Sequence, residues 1–274
     1  MTTWRQGTRA ASQRIGAGGV MRAVLRGLPL GLVVFGGLAA LLVVRLVERP
    51  LHGEARPWTP WITVGVCRSA LRILGLGRVS RGRPMPHPGA IVANHTSWLD
   101  IFTLNAGGPI YFVSKAEVAD WPGIGWLARA TGTVFVRRDP REAHVQKTMF
   151  ERRLGAGHRL LFFPEGTSTD GTQVLPFKPT LFAALYSGNT PDDLWVQPVT
   201  VVYRPPYGES ADFYGWWGDM DFGPHLVKIL AARRQGRVEI DWHDAVRVAD
   251  YPGRKALAAA TEARVREAHG AALS

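Results

Sequence analysis

A chain of 274 residues, 46% hydrophobic and 20% charged, can hold one substantial domain and an appendage; it is neither a disordered protein nor a polytopic membrane protein. Its 33 Lys and Arg against 22 Asp and Glu give a net charge of +11, which favours a polyanionic partner, either nucleic acid or an anionic membrane surface. The single cysteine, Cys67, excludes an intramolecular disulfide and a cysteine-based metal site. The eight histidines are scattered without a His-Glu-x-x-His spacing, so no metal is expected.

Residues 1–27 carry Arg5, Arg9, Arg14, Arg22 and Arg26 and no acidic residue, and residues 28–44 (LPLGLVVFGGLAALLVV) follow without a charge. Seventeen apolar residues sit at the lower limit for a spanning helix. The exit, Arg45-Leu-Val-Glu48-Arg49-Pro50, lacks a small-residue cleavage pattern, so a retained membrane segment is expected rather than a cleaved signal. After a break with Pro50, Pro57 and Pro60, residues 61–77 (WITVGVCRSALRILGLG) repeat apolar positions near helical spacing, with Arg68 and Arg72 interrupting. With Trp58 and Trp61 at one end, this reads as a helix in the membrane interface; a core helix of the soluble domain is the alternative. The arginine-rich start places the N-terminus on the cytoplasmic side.

Residues 78–88 (RVSRGRPMPHP) read as a linker, which divides the chain into a basic, membrane-associated front (1–80) and a body (81–274). The body alternates short β-branched or aromatic runs with helical ones, the pattern of an α/β domain. Strands are predicted at 90–93, 110–113, 133–136, 159–163, 195–203 and 237–242. Helices are predicted at 98–106, 124–130, 141–156, 178–187, 224–234 and 253–269, the last as a solvated cap.

Five places in the body carry chemistry. Asn94 and His95 end the first strand, and Asp100 follows. Histidine is the side chain best placed to act as a general base near neutrality, and a carboxylate on its other ring nitrogen fixes the tautomer. In a continuous helix the His95 and Asp100 side chains would lie about 140° apart. They meet only if the chain is not helical at His95, which a helix capped by Thr96 or Ser97 would allow. Gly132-Thr-Val-Phe135-Val-Arg137-Arg138 ends a strand in two arginines, good forks for phosphate or carboxylate. Phe163-Pro164-Glu165-Gly166-Thr167 places a carboxylate and a glycine directly after a strand, where backbone N–H groups can approach a ligand. Lys178 is expected at a helix start facing the same cleft. Pro198, inside an apolar run, predicts a sheet edge or a bulge. There is no phosphate-loop lysine after Gly166 and Gly171, and no Gly-x-Ser-x-Gly elbow.

Together these blocks resemble the glycerolipid acyltransferase family, whose type member makes phosphatidic acid from 1-acyl-glycerol-3-phosphate. His95 and Asp100, preceded by Asn94, match its His-x4-Asp block; Gly132, Phe135 and Arg138 match its second block; Phe163 to Thr167 match Phe-Pro-Glu-Gly-Thr; and Val196 to Val199 match a fourth block centred on proline. The resemblance spans about residues 78–202. It implies an αβ sandwich around a seven-stranded or similar sheet, seated on a membrane, here the bacterial inner membrane with the catalytic domain on the cytoplasmic face.

The resemblance also implies a mechanism. His95 takes the proton of a lipid hydroxyl that attacks an acyl thioester directly, with Asp100 orienting the ring. Arg138, helped by Arg137 and Lys178, holds the acceptor head group, while Glu165, Gly166 and Thr167 shape its site. The expected partners are membrane lipids and an acyl carrier protein or coenzyme A thioester as co-substrate, with no cofactor. The first acceptor is 1-acyl-sn-glycerol-3-phosphate. One departure bears on the acceptor: the third block of the family continues with an arginine where this chain has Ser168, so either Arg137, Arg138 and Lys178 suffice for a phosphate or the acceptor has no phosphomonoester, and the alternative acceptor is lyso-ornithine lipid. The stretch from Phe213 to His225 also looks similar to the lyso-ornithine lipid branch. A nucleic-acid-binding module is not expected, because the arginines cluster around an apolar segment rather than interleaving with exposed aromatics. A membrane scaffold would leave the four blocks unexplained.

Overall fold

The computed structural model describes residues 15–137, 143–186 and 193–274. Helix α1 (Ala17–His52) runs far beyond the seventeen expected residues in both directions, through Pro29 and Pro50. Its 36 residues are about 54 Å long at 1.5 Å per residue, more than a bilayer core. By length and composition it could cross a membrane, and only 11% of its most apolar window is buried. Its C-terminal end is tied to helix α2 (Thr59–Leu74) by one side chain. The buried Glu48 carboxylate accepts Trp58 N (2.6 Å), Thr59 N (2.9 Å) and the Thr59 hydroxyl (2.6 Å). These are N–H groups that a helix N-terminus leaves without partners, so an acidic residue of α1 caps α2. At the other end of α1, Arg22 Nε donates to Ala231 O, and Arg26 donates to Leu230 O and Ala232 O. Two arginines of the basic front therefore cap a helix C-terminus in the body.

The expected linker opens instead with strand β1 (Gly77–Arg81), so the division at 80/81 falls inside a strand. Strands β2 (Gly89–Ala93), β3 (Tyr111–Lys115), β4 (Val134–Val136), β5 (Arg159–Phe162), β6 (Trp195–Arg204), β7 (Arg237–Trp242) and β8 (Val246–Arg247) complete an eight-stranded sheet. Its order is β1-β7-β6-β2-β5-β3-β4, with β8 also on β6. The β6-β2-β5-β3-β4 stretch is parallel; β7 and β8 run antiparallel to β6.

Strand alternation feeds two cores. Ile91, Leu161 and Val201 face one side, with Leu71 and Leu74 of α2, Leu99 and Leu104 of α3 (Leu99–Asn105) and Ile229 of α6 (Phe222–Ala231). Ala90, Val92, Leu160 and Val196 face the other, with Leu154 of α5 (Ala143–Gly155), Phe182 of the 3₁₀ segment Pro179–Tyr186, and Leu257 and Val265 of α7 (Arg254–Leu273). Helices on both faces of one sheet make an αβ sandwich, with α4 (Ile124–Thr131) leading into β4 at the sheet edge. Helix α2 thus buries its apolar face in the domain core, and α7 is half core rather than a solvated cap.

Pro198 is not at a sheet edge, but the expected bulge is there. The proline lies in β6, between β2 and β7, in parallel register with Val92. Its carbonyl accepts from His243 N (3.1 Å), so its missing N–H points to the same side. There β6 changes partner, from β8 at Val196 (opposite Val246) to β7 at Val199 (opposite Trp242), so Gln197 and Pro198 stand opposite the longer stretch 243–245 and the ladder bulges where the proline has no N–H to give.

Candidate active site

The parallel strands deliver their C-terminal ends, and the loops after them, to one edge of the sheet. Asn94 fixes where β2 stops. Its Nδ2 donates to Val201 O and its Oδ1 accepts from Val201 N, both at 2.8 Å, so a side-chain amide closes the ladder in place of backbone. The next residue is His95. Its Nδ1 lies 2.7 Å from Asp100 Oδ2, and its ring stacks on Phe163 with centroids 3.9 Å apart. The side chain is 20% exposed, against none for Asp100.

Asp100 is fully buried and surrounded by donors. Oδ2 also accepts Thr96 N (2.9 Å) and Ser97 N (3.0 Å), and Oδ1 accepts the Tyr203 hydroxyl (2.7 Å). A carboxylate that accepts everything around it requires the imidazole proton on Nδ1, which leaves the Nε2 lone pair free to take a proton. Burial and the Asp100 charge push the Tyr203 phenol well above its ordinary range, so it stays a donor. The capping expectation is reversed. Among the described residues Thr96 Oγ1 and Ser97 Oγ have no hydrogen-bond partner, and it is Asp100, inside the helix, that gathers the N–H groups upstream.

Glu165 is drawn inward rather than presented to a ligand, which corrects its assignment as an acceptor-binding residue. It is 1% exposed, and its oxygens accept His95 N (2.7 Å) and Leu175 N (2.8 Å), so it staples the His95 loop to the loop after β5. Burial pushes its carboxyl up to about 8, against the pull of those two N–H groups. Pro164 is buried beside it, and its carbonyl accepts Lys178 N (2.9 Å). Gly166 adopts φ +70, which side chains avoid, and its N–H closes the turn onto Phe163 O. Thr167 and Ser168 are half-buried in that turn, and Thr169 N returns to His95 O (2.9 Å). The half-buried Lys178 precedes the 3₁₀ segment and not the α-helix expected at 178–187.

The second block reaches the same edge of the sheet at β4, three strands or about 14 Å from β2. Gly132 ends α4 at φ +83, where a Cβ would meet Arg56 at 2.6 Å, and its carbonyl accepts from Arg153 (2.9 Å). Phe135 is half-buried in β4, and Arg137, exposed, leaves its C-terminal end. Arg138 lies outside the described residues. Among the described residues no group of three His, Cys, Asp or Glu side chains could hold a metal ion.

The geometry has relatives. Residues 78–202 match the family model described as Acyltransferase. A lyso-ornithine lipid O-acyltransferase of Rhodobacter capsulatus is 61% identical over 249 residues, covering 91% of this chain and 90% of that protein. The chain belongs to the acyltransferase family. A 1-acyl-sn-glycerol-3-phosphate acyltransferase of Neisseria gonorrhoeae is 38% identical over 124 residues, 43% of this chain and 48% of its own. The crystal structure of the 1-acyl-sn-glycerophosphate acyltransferase of Thermotoga maritima has the same fold, with a TM-score of 0.68 at 21% identity over 93% of this acyltransferase and 96% of that chain.

The member of the His95 site that the motifs do not name is Tyr203. It lies 103 positions from Asp100 on the far half of β6. The one hint in the sequence is a phenol inside an otherwise β-branched buried run, and a buried phenol needs a partner.

Proposed function

We propose that this acyltransferase is a membrane lysolipid O-acyltransferase whose first acceptor is lyso-ornithine lipid. The observation that carries the chemistry is the His95 Nδ1–Asp100 contact at 2.7 Å, on a histidine whose side chain is 20% exposed. His95 Nε2 takes the proton of the lipid hydroxyl as its oxygen bonds to the thioester carbonyl carbon. Asp100 stabilises the imidazolium, held in turn by Tyr203 and the Thr96 and Ser97 N–H groups. When the tetrahedral intermediate collapses, the carbon–sulfur bond breaks and the imidazolium returns the proton to the thiolate. An ester and a free thiol leave, with no acyl-enzyme. The donor is an acyl carrier protein or coenzyme A thioester. Arg137 and Lys178, with Arg138, serve the acceptor head group, and no cofactor takes part.

Two observations support the acceptor. Ser168 stands where the family's third block continues with an arginine, so a phosphomonoester would lose a charge-assisted contact. The relative from Rhodobacter capsulatus covers nearly the whole chain. The 38% identity to the Neisseria gonorrhoeae enzyme favours 1-acyl-sn-glycerol-3-phosphate as a second acceptor. Helix α1 seats the enzyme in the inner membrane, with the sheet and His95 on the cytoplasmic face.

The test is a two-acceptor assay. Detergent-solubilised full chain with a radiolabelled acyl thioester is expected to label lyso-ornithine lipid with the higher kcat/KM. A higher value for 1-acyl-sn-glycerol-3-phosphate would exchange the two acceptors, and labelling of neither would reject both.

A further inference from the structure

The opposite edge of the sheet, a strand's length or roughly 17 Å from His95, carries a cavity of about 720 Å³. Arg68 and Arg72, a turn apart on α2, line it together with Arg78 of β1, Arg83 between β1 and β2, and Arg159 at the start of β5. Among the described residues no carboxylate lines this cavity, and none of these five arginines is in an ion pair. Their neighbours are treated differently: Arg81, Arg204 and Arg237 on the adjoining strands all pair with Glu239 or Asp241.

Helix capping accounts for only part of the cluster. Arg68 Nε donates to Ala106 O and Arg78 Nε to Thr103 O, both near the C-terminal end of α3, and Arg159 donates to Met85 O. Each guanidinium has five N–H donors, so these contacts brace three arginines and leave most of their donors over. The Arg72 and Arg83 side chains are exposed and make no hydrogen bond among the described residues. Gathering like charges without counter-charge costs stability, and burial together with the Arg68 charge already lowers the Arg78 pKa. An anion bound among them would offset that cost.

The surroundings point to the source of the anion. Trp61, 58% exposed, stands on the cavity rim, and Trp58 is 43% exposed one turn earlier. Tryptophan favours the headgroup level of a bilayer. The adjoining α1 exposes Leu32 at 76% and Leu46 at 77%, the surface hydrocarbon would cover. A bilayer around α1 brings its headgroups to the α2 stripe of Trp61, Arg68 and Arg72. We propose that the arginine cavity binds the phosphate-bearing head group of an anionic phospholipid of the surrounding leaflet, at a site separate from the acyl-transfer centre.

The test is calorimetric titration of the full chain in neutral detergent with dihexanoyl phosphatidylglycerol. Dihexanoyl phosphatidylcholine, glycerol 3-phosphate and a purified acidic acyl carrier protein form separate arms. The anionic lipid is expected to bind more tightly than the other lipid and than glycerol 3-phosphate. The Arg72→Gln/Arg83→Gln variant is expected to weaken it by about tenfold or more, since two charged phosphate contacts are lost. Its melting temperature should stay unchanged, because neither side chain braces the fold. The double variant Arg254→Gln/Arg264→Gln on α7, likewise exposed, should bind as the parent does. Equal affinity for the zwitterionic lipid would reduce the effect to acyl-chain contact, and equal affinity for glycerol 3-phosphate would make the ligand a soluble anion. If the carrier protein and not the lipid loses affinity in Arg72→Gln/Arg83→Gln, the cavity docks the donor. Each of these three results would overturn the proposal.

Discussion

Asp100, in the helix that follows β2, and Arg159, at the start of the neighbouring β5, lie toward opposite edges of the sheet, and the charges around them are handled in opposite ways. At the His95 end, one buried carboxylate accepts from an imidazole, two backbone N–H groups and a phenol, and a second, Glu165, joins two loops through backbone N–H groups. At the other end, five arginines line one cavity without a carboxylate among the described residues. The first arrangement is complete within the chain, as a site must be if it is to act without reorganising. The second has no counter-charge among the described residues, and a partner from outside would supply one. Catalysis needs preorganisation and anchoring needs complementarity, and one sheet keeps the two apart by a strand's length.

The largest expected effect lies at the complete end. His95→Ala should lower kcat by about 10³ or more, the loss of a general base, while the variant still folds and binds membranes. Near-parental turnover would remove the distinction between the two ends. Next comes pH, because each end buries a histidine. His225, which accepts from Trp98 Nε1 at 2.9 Å, and His158, beside Arg153, are both lowered from 6.5 to about 4, first by burial and then by Lys228 and Arg153 respectively. The native state stays neutral where the unfolded chain takes up protons, so stability is full above 6.5 and is lost as pH falls through 4. Each histidine should account for on the order of 3 kcal/mol at most in denaturant unfolding at successive pH values. His158→Phe should flatten only its own share.

A smaller effect tests the staple between the two loops. In Glu165→Gln the amide can offer an oxygen to only one of His95 N and Leu175 N and sets its own N–H₂ against the other. A cost of about 1–3 kcal/mol is expected, read as a lower melting temperature together with a lower kcat. The smallest effect is that of Tyr203→Phe, about tenfold in kcat with KM unchanged. Freed of one donor, Asp100 holds the imidazolium more strongly, so the acid limb of the kcat–pH profile should move to higher pH. A shift in KM or melting temperature without movement of that limb would make Tyr203 merely structural.

Much of the fold was legible. The six strands expected in the body appear within two residues of their places, because each is a short apolar run between turn residues. Strand β1 was missed because its sequence, Gly-Arg-Val-Ser-Arg, carries one apolar residue and pairs with β7, 160 positions away. The ends of α1 were missed because its apolar run is continued by arginines and Glu48, whose partners lie in other helices. His95 and Asp100 were found because they are close in sequence; Tyr203 was not, because only the pairing of β6 with β2 brings it to Asp100.

By itself the sequence determined the order of the elements, the apolar helix at the front and the four blocks that carry the family's chemistry. These are local matters of period, spacing and residue type. Tertiary structure alone decided that Glu165 turns inward, that Pro198 C=O meets His243 N where β6 changes partner, that Arg22 and Arg26 cap a helix, and that five arginines meet at one cavity. The physical reason is common to all four. A buried polar group takes whichever partner the packing of distant elements brings within hydrogen-bond reach, and no spacing along the chain encodes that choice.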